Sequence, residues 1–272
     1  MTESKPLPAG ACDCHLHIYE PAYPMAPTAL LPPPEAPLAA YRGLRARLGI
    51  DRSVIVQPTT YGLDNRCTLA AAAALGEGAR AVVTVDRTTT DADLARFNAA
   101  GARGARFHML PGGPVPWDDL APVAERVADL GWHIQLQMNG NDLPDRLDAL
   151  KRLPTPLVID HVGRFHGGTD PSGPAFKALL DLLAGGRCWV KLSAPYEASK
   201  ADAPRYGDIG ALAKRLVAAA PERLVWATNW PHPGQDPAPD DVALLALMDD
   251  WVPDPDTRRR IWVDNPAALY GF

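Results

Sequence analysis

The sequence predicts an α/β chain folded as a (β/α)8 TIM barrel. Three observations lead there. Short apolar runs alternate with amphipathic stretches along the chain, the pattern of βα units around a parallel sheet. The runs number eight, the count a closed barrel needs. The chain has 272 residues, and such a barrel takes about 250, so a single barrel domain over 1–272 fits with little surplus.

The strands are expected at residues 11–18, 53–57, 81–85, 104–108, 133–138, 157–160, 189–193 and 224–228. Several are apolar on successive residues, as in Val54-Ile55-Val56, which fits strands buried on both faces. Helices fall between them. Leu38, Tyr41, Leu44 and Leu48 recur at helical spacing. Thr90 can cap a helix starting at Asp91, with Asp93 in the reciprocal capping-box position. Pro122 lies early in a helix over 118–130, where proline is tolerated. A helix over 209–220 stops at Pro221, and the tail 264–272 packs its apolar side chains on the barrel. The proline-rich stretch 21–37 has no periodicity and follows the first strand. That places it on the catalytic face, as a long connection or as part of a substrate lid.

Composition narrows the function classes. A net charge of −5 without a Lys/Arg block argues against nucleic acid and anionic membrane surfaces as partners. No apolar run approaches the roughly 20 residues of a membrane span. The first six residues, Met1 to Pro6, lack a basic-then-apolar leader, so a cytoplasmic location is expected. The four cysteines match no zinc spacing and read as buried thiols. The sequence gives no oligomeric state.

Barrel chemistry gathers at the C-terminal ends of strands. His15 and His17 end strand one, and their i, i+2 spacing points both to one face. Gln57, Thr59 and Tyr61 follow strand two. Arg106 ends strand four, Gln137 ends strand five, and His161 and Arg164 follow strand six. Lys191 lies on strand seven with Tyr196 just beyond, and strand eight delivers Asn229 and then His232. An inward Lys191 is costly to bury unless paired or bound to an anion. Guanidinium groups at Arg106 and Arg164 suit a carboxylate-bearing substrate, and Thr59, Tyr61, Gln57 and Tyr196 could recognise hydroxyls. Amides bind zinc poorly, so Gln135, Gln137 and Asn229 argue against a catalytic metal. No cofactor is expected, although His15, His17 and His161 could form a three-histidine site.

The ordered segments Asp13-Cys14-His15-Leu16-His17, Gln57-Pro58-Thr59, Asp64-Asn65, Asp160-His161-Val162-Gly163-Arg164, Trp230-Pro231-His232 and Asn265-Pro266 resemble the metal-independent lactonase branch of the amidohydrolase superfamily. The resemblance covers nearly the whole chain. That branch holds the 2-pyrone-4,6-dicarboxylate lactonases and the D-galactarolactone isomerases. For the lactonases it implies an Asp where this chain has Asn229, activating water. It also implies carbonyl polarisation at His15, His17 and His161, carboxylate binding at Arg106, Arg164 and Thr59, and His232 lining the site. The chain departs from the lactonases at Asn229, and at Glu197 where they carry Arg. It is similar to the isomerases in Thr228-Asn229-Trp230-Pro231-His232, Leu110-Pro111-Gly112-Gly113, Gly140-Asn141 and Tyr196-Glu197-Ala198-Ser199.

The resemblance therefore implies isomerisation of D-galactaro-1,5-lactone to the 1,4-lactone. The substrate's own hydroxyl attacks the ester carbonyl, His161 moves the proton, and His15, His17 and Lys191 stabilise the oxyanion. The substrate partner is thus a small anionic lactone. The alternatives are hydrolysis of a carboxylated lactone and a barrel that only binds a sugar acid.

Overall fold

The computed structural model describes residues 7–201 and 203–272, so the leader-free reading of Met1 to Pro6 lies outside the described residues. The strands are β1 (Cys12–Leu16), β2 (Arg52–Val56), β3 (Ala79–Val83), β4 (Ala102–His108), β5 (His133–Gln137), β6 (Leu157–Ile159), β7 (Cys188–Leu192) and β8 (Leu224–Trp226). They form one parallel sheet in sequential order, β1 to β8, as expected for the barrel. Every expected strand is present. The expected ends run one or two residues past the ladder in most cases, because the chain stays extended where its side chains enter the site.

Ten α-helices wrap or close the sheet among the described residues. They are α1 (Leu38–Leu48), α2 (Arg66–Leu75), α3 (Asp91–Ala99), α4 (Leu120–Ala128), α5 (Leu143–Lys151), α6 (Pro174–Ala184), α7 (Gly207–Ala219), α8 (Asp241–Trp251), α9 (Pro255–Arg259) and α10 (Asn265–Tyr270). Local sequence explains their ends. Thr90 Oγ1 accepts from Asp93 N–H at 3.1 Å and caps α3. Gly49, at φ 74°, ends α1 in the left-handed conformation that glycine adopts without cost. The helix expected over 118–130 is shorter, because a 3-10 turn at Trp117–Asp119 precedes α4. Tyr41, Leu44 and Leu48 bury the apolar stripe of α1.

The main core lies between helices and sheet. A second core fills the barrel interior with Cys12, Cys14, Val54, Val56, Val82, Val158, Trp189, Val225 and Ala227, plugged by Tyr270 from α10. All four cysteines are free and buried. The β1–β2 register shifts between Asp13 and Leu16. This irregularity lets His15 and His17 project into the site although Cys12 and Cys14, of opposite parity, also face inward.

Closure between the first and last strands depends on few bonds. The segment after β8 meets β1 through Asn229 N to His15 O at 2.9 Å and His17 N to Trp230 O at 2.8 Å. Below them one carboxylate staples the seam. Asp13 accepts from Thr228 N at 3.0 Å, Thr228 Oγ1 at 2.6 Å, Tyr41 Oη at 3.2 Å and His15 N at 3.2 Å. Removing it orphans buried donors on both strands. Asp13→Ala is expected to lose about 2–4 kcal/mol in urea unfolding. A loss below about 1 kcal/mol would show that closure rests on the backbone bonds alone.

Candidate active site

A cavity of about 850 Å³ opens at the C-terminal ends of the strands. His17, Thr59, Arg106, Gln137, His161, Arg164, Asn229 and His232 all line it. So do Tyr19, His108 and Glu197, which the sequence reading did not assign. The 21–37 stretch carries no helix or strand and contributes Leu30, Leu31, Pro32 and Pro34 to the cavity wall. Leu30 and Leu31 are largely exposed there, at 66% and 54%.

Five expected site residues do not line the cavity. Gln57 donates to the Gly62 and Asp64 carbonyls at 3.1 and 2.9 Å and accepts from Thr68 Oγ1 at 2.6 Å. Its side chain pins a loop, and only its backbone carbonyl serves the site, by accepting from Arg106 Nη1 at 2.6 Å. Tyr61 Oη bridges the Glu20 N–H and carbonyl at 3.0 and 3.1 Å. Neither side chain is placed for substrate hydroxyls. Lys191 and His15 are fully buried beneath the floor, so the expected direct contact of Lys191 with an oxyanion is not what the structure provides. Tyr196 is also absent from the lining and stands behind Asn229.

Proton positions beneath the floor follow from the partners. His17 Nδ1 faces the Val56 carbonyl at 2.8 Å, and a carbonyl only accepts, so Nδ1 carries the hydrogen. Burial first, then Arg106, lowers the His17 pKa well below its ordinary value, so its Nε2 is bare. His15 Nε2 lies 3.3 Å from that atom and must donate to it. His15 is likewise held neutral, by burial and then by Lys191. Its bare Nδ1 accepts from Lys191 Nζ at 3.2 Å. Gln135 completes the set. Its carbonyl oxygen accepts from Lys191 at 2.7 Å, and its amide donates to Asp160 Oδ2 at 3.1 Å. Burial opposes ionisation of Asp160, but the charges around it, Lys191 foremost, outweigh it and hold the carboxyl well below the usual range.

The charges divide unevenly. Lys191 pairs with Asp160 at 3.4 Å, and Arg164 Nε pairs with Glu197 Oε2 at 3.1 Å. Arg106 is 5% exposed and donates to Gln137 Oε1 at 2.8 Å, yet it forms no ion pair among the described residues. Its buried Nε has no partner. The cavity lining therefore holds one buried cation without an ion pair, and the exposed Asp236 is its one unpaired carboxylate among the described residues. His161 faces the same space from a strained backbone at φ 54°, with Nδ1 2.9 Å from Ser193 Oγ. Burial lowers its pKa to about 4, so the ring is a neutral proton acceptor near pH 7.

The donor atoms of His15, Asp160 and His161 lie within 4.8 Å of one another, the nearest approach to a metal site among the described residues. The set fits a divalent ion poorly. Both nitrogens of His15 are engaged, and the Lys191 ammonium already stands 3.2 Å from His15 and 3.4 Å from Asp160. A second cation between those groups would meet its repulsion. The strand-eight residue is an amide, a poor ligand for zinc.

The comparisons agree with this geometry. A family model described as Amidohydrolase matches residues 12–272. The chain is 42% identical to D-galactarolactone isomerase of Agrobacterium fabrum, over 97% of this chain and 92% of that protein. It is 36% identical to 2-pyrone-4,6-dicarboxylate hydrolase of Comamonas testosteroni, over 98% of this chain and 93% of that one. A crystal structure from Agrobacterium tumefaciens superposes with a TM-score of 0.93 at 42% identity, covering 98% of this chain and 97% of that one.

Five histidines with depressed pKa values make the fold acid-sensitive, His15 and His17 among them. Burial lowers His108 to about 3, His133 to about 3 and His161 to about 4. The unfolded chain takes protons there at the ordinary 6.5. A depressed folded pKa means this stability is complete above the unfolded value and lost as pH falls towards the folded one. Asp13 works in the opposite sense, raised by burial from 3.8 to about 6, but it is one group against five. The thermal midpoint is expected to fall by several degrees between about pH 7 and pH 4. A flat profile would contradict these ring environments.

Proposed function

The chain belongs to the amidohydrolase family, and from that premise we propose that it isomerises a sugar-diacid lactone, D-galactaro-1,5-lactone to the 1,4-lactone, by intramolecular acyl transfer without a metal. One observation carries the reading. The residue that β8 delivers into the cavity is Asn229, whose amide cannot accept a proton from water. The carboxylates nearby do not replace it. Asp160 is buried against Lys191, Glu197 is tied to Arg164, and Asp236 is an exposed carboxylate of the lining, where burial does nothing to strengthen it as a base.

The charge inventory supports the same substrate class. The galactaric lactone keeps one free carboxylate, whereas 2-pyrone-4,6-dicarboxylate has two. Arg106 is the one uncompensated cation facing the cavity among the described residues, and Glu197 has neutralised Arg164. A monoanion matches that balance. A dianion would have to displace Glu197 or leave a carboxylate unpaired in a low-dielectric site.

The chemistry then needs little from the protein. The lactone's C4 hydroxyl attacks the C1 carbonyl, forming the C1–O4 bond, and the C1–O5 bond breaks. One proton moves from O4 to O5. Intramolecular attack carries effective molarities of about 10⁵–10⁸ M, far above water at roughly 55 M. Arg106 anchors the carboxylate, with Thr59 and Gln137 beside it. His161 takes the O4 proton and returns it to O5, its Nδ1 side steadied by Ser193. The carbonyl lies over the histidine floor, where His15 turns its hydrogen to His17 and His17 turns its own to the Val56 carbonyl, so the floor acts through the positive field of Lys191 and not by donating a hydrogen bond.

Hydrolysis is the second reading, favoured by the intact His15–His17 pair and by His161 as a base available to water. The two are separated by incubating D-galactaro-1,5-lactone with chelator-treated protein in ¹⁸O-water. Unlabelled 1,4-lactone, formed faster than in the blank, is the expected product. Labelled open-chain diacid as the main product would establish water as the nucleophile, and activity that depends on restored metal would end the metal-free reading. Asn229→Asp supplies a base at a position whose φ of 63° aspartate tolerates. It should raise hydrolysis by about tenfold or more at the expense of isomerisation. An unchanged product ratio would show that the amide is not what suppresses water.

A further inference from the structure

Behind Asn229 runs a chain of hydrogen bonds that ends on a helix. Asp241, the first residue of α8, places Oδ1 3.1 Å from His232 Nε2. His232 Nδ1 lies 2.8 Å from Tyr196 Oη. That oxygen lies 2.9 Å from Asn229 Nδ2. Backbone geometry fixes the ends. Asp240 caps α8 by accepting from Val242 N, and His232 N donates to Asn229 O at 2.8 Å.

With a single hydrogen on the His232 ring, one direction satisfies every link. A carboxylate accepts, so His232 Nε2 carries the hydrogen that faces Asp241. In the neutral ring Nδ1 is then bare. The single hydroxyl hydrogen of Tyr196 goes to it, and the Tyr196 oxygen is left to accept. Asn229 must therefore turn its NH₂ group to Tyr196. The reverse order would set a bare Nε2 against the Asp241 carboxylate at 3.1 Å, two acceptors facing each other.

We propose that Asp241, His232 and Tyr196 are positioning residues that lock the Asn229 amide with its Oδ1 towards the cavity, as the acceptor for the substrate's attacking hydroxyl. The hydroxyl assignment rests on the isomerase reading, whereas the direction of the chain does not. The amide orients the donor without removing its proton, and His161 takes that proton from the other side. The chain also accounts for a proton difference at this position. An aspartate at 229 would compete with His232 for the Tyr196 hydrogen. Serving both would require a second hydrogen on His232.

Two measurements test this. Long-range ¹H–¹⁵N correlation spectra of histidine-labelled protein near pH 7.5, with the His232 signals assigned by their loss in His232→Gln, should show the Nε2–H form. Tyr196→Phe, which deletes one oxygen, should lower kcat for isomerisation by about tenfold, the worth of one oriented hydrogen bond, with KM within about twofold. An Nδ1–H or doubly protonated His232 overturns the proposed direction. An unchanged kcat in Tyr196→Phe, or a change confined to KM, overturns the positioning role. If the wild-type protein isomerises no lactone, the functional reading fails, while the spectra still judge the chain.

Discussion

A single ammonium group organises the floor of this barrel. Lys191 is fully buried, yet its three hydrogens have three directions to serve: Gln135, His15 and the Asp160 carboxylate. Its charge makes His15 an acceptor on one nitrogen and so a donor on the other, which in turn makes His17 a neutral acceptor. Burying an isolated ammonium is costly, and Asp160 offsets that cost while Gln135 bridges the pair, accepting from Lys191 and donating to Asp160 Oδ2. The register irregularity in β1 brings the two histidines within reach. The strand-one, strand-five, strand-six and strand-seven residues are thus one electrostatic unit, and altering any member changes the proton inventory of the rest.

A second network, rooted in Asp241, approaches the cavity from the strand-eight side. The two differ in what they hold. The first buries a compensated charge pair under the floor, and the second carries a hydrogen-bond direction to an amide at the surface of the cavity. Between them stand the groups that can meet a ligand: Arg106, His161 and Asn229. Several of the hinges that aim these groups are backbone positions in the left-handed region, His161, Val162, Arg164, Asn229 and His232. For non-glycine residues that conformation costs about 1–2 kcal/mol each, and such strain concentrates where function demands a particular aim.

The barrel was legible because eight apolar runs separated by helical patterns admit few arrangements. The strand ends were legible for the same reason, so residues such as Arg106, His161 and Asn229 could be placed at one rim from sequence. What a strand end does not reveal is which polar group serves a loop. Gln57 looks like a site residue by position, but the carbonyls of Gly62 and Asp64 needed donors and took its amide. Tyr61 was drawn away by the backbone of Glu20 in the same manner. Long-range pairs were hidden as well. Glu197 and Arg164 sit on successive loops, and their contact depends on how β6 and β7 lie side by side. Ser193 ends the expected seventh strand, but nothing in a single sequence shows that it meets His161. Asp241 lies nine residues beyond His232, at the start of a helix, where an acidic residue is ordinary.

The guanidinium of Arg106 is one half of an ion pair whose other half the chain does not supply among the described residues. Its Nε is buried and unbonded, and its charge has no counter-ion from the chain among the described residues. Any small anion that enters can complete the pair, so phosphate, citrate or chloride in a buffer would compete for that place with an anionic ligand. Such an anion also stabilises the fold by mass action, in proportion to the logarithm of its concentration. The protein's melting temperature and its apparent affinity for such a ligand are therefore coupled to the salt it is stored in, with opposite signs: what steadies the barrel is what the ligand must displace.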